Sequence, residues 1–213
     1  MKTIAVATKN AGKLREMMDA FRGLPVTLLP LSHFGDLPDA VEDGATFAEN
    51  AAIKAKFYMK ATGVACLADD SGLEVEALSG APGVYSARFA GVHGDDDANN
   101  AKLVAELVRL GREDSPAAYR CALALADTDG RLLTAAGACR GTVRTTPRGT
   151  GGFGYDPYFY LSDDKTMAEL TFSEKDAVSH RGAALRAMAR ASCSTTRTGA
   201  VPPCPVRAAT EPS

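Results

Sequence analysis

The chain has 213 residues, 46% of them hydrophobic, enough to bury the core of one domain or of two closely packed lobes. Its 24 basic and 26 acidic residues leave a net charge of −2, which excludes wholesale binding to nucleic acid or to a membrane surface, since both need a basic excess. Five scattered cysteines form no C-x-x-C pair, and the apolar run in the opening MKTIAVATKN is too short for a signal segment, so a cytoplasmic protein with free thiols and no membrane span is expected.

In chain order, Thr3 to Thr8 reads as a short buried strand. Leu14, Met17, Met18 and Phe21 then fall at i, i+3, i+4 and i+7, and Gly23 stops that helix. Val26 to Leu29 offers a second strand. Thr46 and Glu49 form a capping box ahead of another helix. Its apolar face takes Phe47, Ala51, Ile53 and Phe57, Lys54 and Lys60 point elsewhere, and Gly63 ends it. Val64 to Ala68 is a further buried strand that runs straight into Asp69-Asp70-Ser71-Gly72. Acids open a helix striped by Leu103, Leu107 and Leu110. YRCALALAD and RLLTAAGACRG read as a hairpin turning at Asp129-Gly130. Tyr158 to Leu161 is a short strand, and Ser179 caps a last helix that ends near Ala191. Residues 192–213 are rich in proline without periodicity and read as a disordered tail, leaving one domain over 1–191. Strands interleaved with helices, plus one hairpin, predict an α/β fold with a mixed sheet.

GTGGFG (Gly149 to Gly154) matches the dinucleotide-binding pattern G-x-G-x-x-G, but its flanks do not. That motif needs a strand entering and a helix leaving. Here Pro147 breaks the entry, and Pro157 disfavours a helical Asp156 at the exit. The glycines instead let backbone approach a ligand, and Phe153 among them can stack a planar base.

Three other stretches carry chemistry. TKNAGK places Thr8, Asn10 and Lys13 at a helix N-terminus, where N–H groups and the dipole favour an anion. LADDSG ends a strand on two adjacent carboxylates, which repel unless a divalent cation or basic groups compensate them. Glu42, in the loop ahead of the second helix, is a further candidate ligand. EKDAVSHRG gathers Lys175, His180 and Arg181, donors suited to carbonyl oxygens or phosphates. Lys54 and Arg88 are two more cations in apolar surroundings.

Together, TKNAGK, TFAENAAIKA, ADDSGLEVEALSGAPGVYSARFAG, GTGGFGYDPYF and FSEKDAVSHRGAAL, in this order from about Thr3 to Ala191, resemble the inosine triphosphate pyrophosphatase family. The resemblance implies two lobes around a long curved mixed β-sheet with flanking helices, the active-site cleft lying between the lobes. It implies a homodimer, a Mg²⁺ requirement, and hydrolysis of ITP, dITP and XTP to monophosphate and pyrophosphate. Thr8, Asn10, Lys13 and Lys54 then hold the triphosphate and Ser71 lines the phosphate site. Glu42 and one of Asp69 and Asp70 hold Mg²⁺, and Asp70 matches the family's general base. Phe153 stacks the purine, Gly154, Tyr155 and Asp156 shape its pocket, and Lys175, His180 and Arg181 contact its carbonyl oxygens. The chain departs from the family at Lys9, where a small residue is common, and in the tail after Ala191.

Overall fold

The computed structural model describes residues 2–195. Seven strands form one mixed sheet in the order β2-β1-β3-β4-β5-β6-β7. They are β1 (Lys2–Ala7), β2 (Val26–Pro30), β3 (Ala65–Val75), β4 (Asp114–Ala126), β5 (Leu132–Arg144), β6 (Phe159–Ser162) and β7 (Lys165–Thr166). β1 runs parallel to β2 and β3, and every pairing from β3 to β7 is antiparallel. The helices are α1 (Ala11–Ala20), α2 (Phe47–Thr62), α3 (Asp96–Arg109), α4 (Phe172–Val178) and α5 (His180–Thr195). No described helix is long and apolar enough to cross a membrane.

The sheet is curved and serves two lobes. In the first, alternate residues of β1, β3 and β4 point to opposite faces. Ala5, Cys66, Ala68 and Ala124 pack under α2, while Ile4, Val6, Leu67 and Leu123 pack under Met17 of α1 and Ala184, Leu185 and Met188 of α5. This double coverage explains why Ile4 to Ala7 of β1 and the start of β3 are apolar throughout. In the second lobe, Leu73 and Val75 at the far end of β3 join Leu103, Leu107, Val143, Tyr155 and Phe159 in a separate core. β3 passes through both cores, and Asp69 and Asp70 lie between them.

That continuity corrects one expectation. Asp69-Asp70-Ser71-Gly72 is not the end of a strand but the middle of one, paired with β4 from Cys66↔Ala126 to Val75↔Ala117. A ten-residue ladder satisfies backbone groups that a turn would leave to water, and it overrides the local turn preference of Asp, Ser and Gly. Gly72 serves close approach. A Cβ there would overlap Ser86 Oγ and the Gly83 carbonyl of the 3₁₀ segment Gly83–Arg88.

The hairpin turns as expected, with Gly130 at φ +90°, and the α2 capping box is complete, with Gly63 left-handed at its end. The buried face of α2 is Asn50, Ala51, Ala55 and Tyr58, rotated from the expected one, so Ile53 and Phe57 are only partly buried and Lys54 turns inward. Met18 and Leu110 lie at the exposed margins of their stripes. The expected last helix forms as α5, preceded by a short helix, α4, that the sequence did not announce. α4 has its own capping box from Thr171 and Glu174, and Ser179 then accepts from Gly182 N (3.0 Å) to start α5. α5 runs to Thr195, four residues past Ala191, and residues 196–213 of the expected tail lie outside those described.

Candidate active site

The glycine-rich loop leaves β5 and enters a 3₁₀ turn (Asp156–Tyr158) and then β6, with no helix behind it. The dinucleotide-binding reading is excluded by this geometry.

Between the lobes opens a cavity of about 460 Å³, whose walls include Thr8, Asn10, Lys13, Glu42, Lys54, Asp70 and Ser71. Asn10 caps α1 by accepting from Lys13 N (3.0 Å), and Thr8 Oγ1 accepts from Asn10 N (3.1 Å). These local bonds point Thr8, Asn10 and Lys13 into the cavity beside the helix N-terminus. α2 supplies Lys54 from the opposite wall. Its Nζ lies 2.8 Å from Glu42 Oε2 and donates to the Asp69 carbonyl (3.1 Å). Burial alone lowers Lys54, but Glu42, Asp69 and Asp70 hold it above its ordinary value, so it stays charged.

Beneath the cavity floor lies a buried ion network. Arg181, 1% exposed, donates from Nε to Asp69 Oδ2 (3.0 Å), from Nη2 to Ser71 Oγ (2.8 Å), and from Nη1 to Glu16 Oε2. Lys13 Nζ is 2.9 Å from Asp69 Oδ1. Lys175 Nζ is 2.5 Å from Asp156 Oδ2 and 3.6 Å from Glu16 Oε1. Three carboxylates (Glu16, Asp69, Asp156) therefore face three cations (Lys13, Lys175, Arg181), and the network closes electrically. Burial pushes the Asp69 carboxyl up, but Arg181 and Lys13 outweigh it and hold Asp69 well below the usual carboxylate range.

Asp70 is the charge left over. It is 8% exposed, its Oδ1 accepts from Ser71 N (3.1 Å), and its buried Oδ2 has no hydrogen-bond partner among the described residues. Burial pushes its carboxyl up to about 6; Asp69 and Glu42 add to the rise while Lys54 and Lys13 oppose it. The sequence left open which aspartate serves a cation. Asp69 is turned into the network and does not line the cavity, whereas Asp70 and Glu42 both line it. Among the described residues no three His, Cys, Asp or Glu side chains gather as a metal site. Mg²⁺ takes one or two carboxylates and completes its shell with substrate phosphates, so Glu42 and Asp70 are a donor set that fits it.

The aromatic loop lies beside this cavity. The Phe153 ring packs on Gly12, where a Cβ would come within 2.7 Å of Cδ1, and Lys175 Nζ lies 4.4 Å from the ring centroid. Asp156 Oδ2 accepts from Phe153 N (2.9 Å) and Asp156 Oδ1 from Tyr119 Oη (3.2 Å), so Asp156 holds the loop onto the network. Gly154 is tied to α3 at both backbone groups, donating to Asp96 and accepting from Asn100. Tyr155 is buried in the second core and donates to the Ser86 carbonyl (2.8 Å), so it anchors the loop from behind. His180 stacks on Tyr119 at 4.8 Å. Burial, helped by Arg181, drives His180 well below its ordinary value and keeps it neutral, and its Nδ1 has no partner among the described residues.

Sequence reading did not single out Glu16, Tyr119, Asp96 or Asn100. Glu16 lies one residue before Met17 of the apolar stripe, and no spacing rule marks it as the partner of two cations 159 and 165 positions away.

The sequence matches the Ham1 family over residues 4–191. The chain belongs to that family. A Ham1 protein of known structure from Coxiella burnetii superposes with a TM-score of 0.81 at 42% identity, covering 92% of this chain and all of the other. The dITP/XTP pyrophosphatase of Geobacter sulfurreducens is 53% identical over 186 residues, 87% of this chain and 94% of that protein. The protein of the same name from Streptomyces coelicolor is 48% identical over 191 residues, 88% of this chain and 96% of the other. The Ham1 membership agrees with the resemblance carried by the five sequence blocks, and the mixed sheet with its cleft between two lobes is the fold they implied.

Proposed function

We propose that this Ham1-family chain is a Mg²⁺-dependent nucleoside triphosphate pyrophosphatase, hydrolysing dITP, XTP and ITP to the monophosphate and pyrophosphate. Asp70 carries the reading. It is a buried carboxylate with one oxygen lacking a hydrogen-bond partner among the described residues, in a cavity where Glu42 is paired with Lys54, Asp39 with Lys9, and Asp96 accepts from Gly154 N.

The triphosphate brings about four negative charges, which Lys13, Lys54 and the N-terminus of α1 meet with cations and N–H groups. A divalent cation held by Glu42 and Asp70 together with the phosphates supplies polarisation of the phosphoryl oxygens and charge for the leaving pyrophosphate. Asp70, which lines the cavity beside the phosphate-binding cations, is the carboxylate that takes the proton of the attacking water. Thr8, Asn10 and Ser71 orient the phosphates, so that attack is in line at the α-phosphorus.

Phe153 offers a ring face for the purine, Lys175 and Arg181 lie at that ring, and together with His180 they would serve as donors for the carbonyl oxygens of the base. The 6-amino group of adenine would set donors against donors, leaving buried groups unpaired at a cost of several kcal/mol, about a thousandfold in rate. The test is a product assay with Mg²⁺ on dITP, XTP, dATP, dGTP and dTTP that resolves pyrophosphate from orthophosphate. Pyrophosphate from dITP and XTP alone supports the reading. Orthophosphate release, or equal turnover of dATP, overturns it. The resemblance also supports a homodimer, which light scattering on the eluting protein tests.

A further inference from the structure

One cation of the cavity has no carboxylate to serve. Lys13 is held by Asp69, Lys54 by Glu42, and Lys9 by Asp39 at 2.6 Å. Arg88 lines the same cavity, its backbone carbonyl accepts from Gly91 N (2.9 Å), and among the described residues its guanidinium makes neither a hydrogen bond nor an ion pair. The Tyr85 ring centroid lies 5.1 Å from the guanidinium carbon. A half-buried guanidinium with five idle N–H donors at the wall of a polar cavity is suited to an anion.

Its mounting is rigid. Ser86 Oγ donates to the Gly83 carbonyl (2.6 Å) and accepts from Leu73 N (2.9 Å), which pins the Gly83–Arg88 segment against β3 just beyond Ser71. Tyr155 Oη donates to the Ser86 carbonyl (2.8 Å), and Asn99 Oδ1 accepts from Ala90 N (2.8 Å) on the other side of Arg88. Holding the flanks of Arg88 in this way lowers the entropy lost when it engages a ligand.

Position along the cleft decides which part of the substrate Arg88 meets. Phe153, Lys175 and His180 lie outside the cavity, Asp70 lies at its wall, and Arg88 lies within it. A nucleotide with its base at Phe153 and its α-phosphorus at Asp70 places its phosphates in the cavity that Arg88 also lines.

We propose that Arg88 is a ligand of the leaving pyrophosphate, an inference that rests on the pyrophosphatase reading above. In that reaction the water oxygen bonds to the α-phosphorus and its proton passes to Asp70. The bond from the α-phosphorus to the bridging oxygen breaks, and pyrophosphate leaves with the electron pair. Charge grows on that leaving group, and the planar fork of Arg88 binds two of its oxygens at once.

The experiment is calorimetric titration of wild type, Arg88→Ala and Arg88→Lys with inorganic pyrophosphate, and separately with inosine monophosphate, both with Mg²⁺. Arg88→Ala is expected to weaken pyrophosphate binding by about ten- to a hundredfold while leaving the monophosphate within about twofold. Arg88→Lys is expected to recover part of the loss, since it restores the charge without the fork. Unchanged pyrophosphate affinity in Arg88→Ala, or equal losses for both ligands, overturns the proposal. If Arg88→Ala does not fold, Arg88→Gln is read by the same two criteria. The two readings fail separately. A wild type that releases orthophosphate from dITP refutes the pyrophosphatase reading, whereas pyrophosphate release with an indifferent Arg88 refutes only this inference.

Discussion

Adjacent carboxylates in β3 respond oppositely to the same substitution. Asp69 is 1% exposed and pairs with Arg181 and Lys13 inside a closed set of three acids and three cations. Asp69→Asn removes one acid and leaves a buried cation uncompensated. Breaking a buried pair in this way costs about 3–5 kcal/mol. For a unit of this size each kcal/mol moves the melting temperature by about 2–4 °C, so Asp69→Asn is expected to melt about 6–20 °C lower. Asp70 has the opposite standing. Its carboxyl is raised from 3.8 to about 6 by burial, with Asp69 and Glu42 adding to the rise. Because the folded value lies above the unfolded one, the native state binds this proton more tightly. Its contribution to stability is therefore lost as pH rises from about 4 to about 6. At pH 7 and without metal, keeping Asp70 charged costs about 3 kcal/mol, at 1.36 kcal/mol per pKa unit. Asp70→Asn is expected to melt as high as wild type or higher in EDTA at pH 7, to lack the wild-type slope between pH 4 and 6, and to lose about 10²–10⁴-fold in pyrophosphate release with Mg²⁺. Thermal melts from pH 4 to 8 and one activity assay test all of this. Equal destabilisation by both substitutions, or an unchanged melt for Asp69→Asn, refutes the charge partition.

Other expectations concern the base end of the cleft. Phe153→Ala removes a stacking face worth about 1–3 kcal/mol and should raise KM for dITP by about 10–100-fold with a smaller change in kcat, read by steady-state kinetics. Gly12→Ala places a methyl within 2.7 Å of the Phe153 ring, so it should raise KM as well. Its melting temperature should hold or rise, since Ala exceeds Gly in a helix by about 0.5–1 kcal/mol. An unchanged KM would show that the ring position does not matter for binding. Tyr155→Phe leaves the Ser86 carbonyl without its donor and should cost about 1–2 kcal/mol in urea denaturation.

The sequence by itself determined what depends on near neighbours. Thr46 and Glu49 announce the start of α2, Asn10 caps α1, and Asp129-Gly130 turns the hairpin, because each of these signals is a bond or a dihedral within a few residues. The order of five blocks was also enough to indicate the family and to name Thr8, Asn10, Lys13, Glu42, Lys54, Asp70 and Ser71, which line the cavity. Tertiary structure decided the rest. Asp69-Asp70-Ser71-Gly72 looks like a turn until β4 pairs with it across ten residues. Lys54 looks solvated on a helical wheel until Glu42 arrives from a preceding loop. Two identical side chains, one residue apart, acquire opposite electrostatics because strand alternation sends Asp69 toward Arg181 and Lys13 and Asp70 toward the cavity. Charge compensation in a low-dielectric interior depends on distances of about 3 Å between residues far apart in sequence, and only folding brings those residues together.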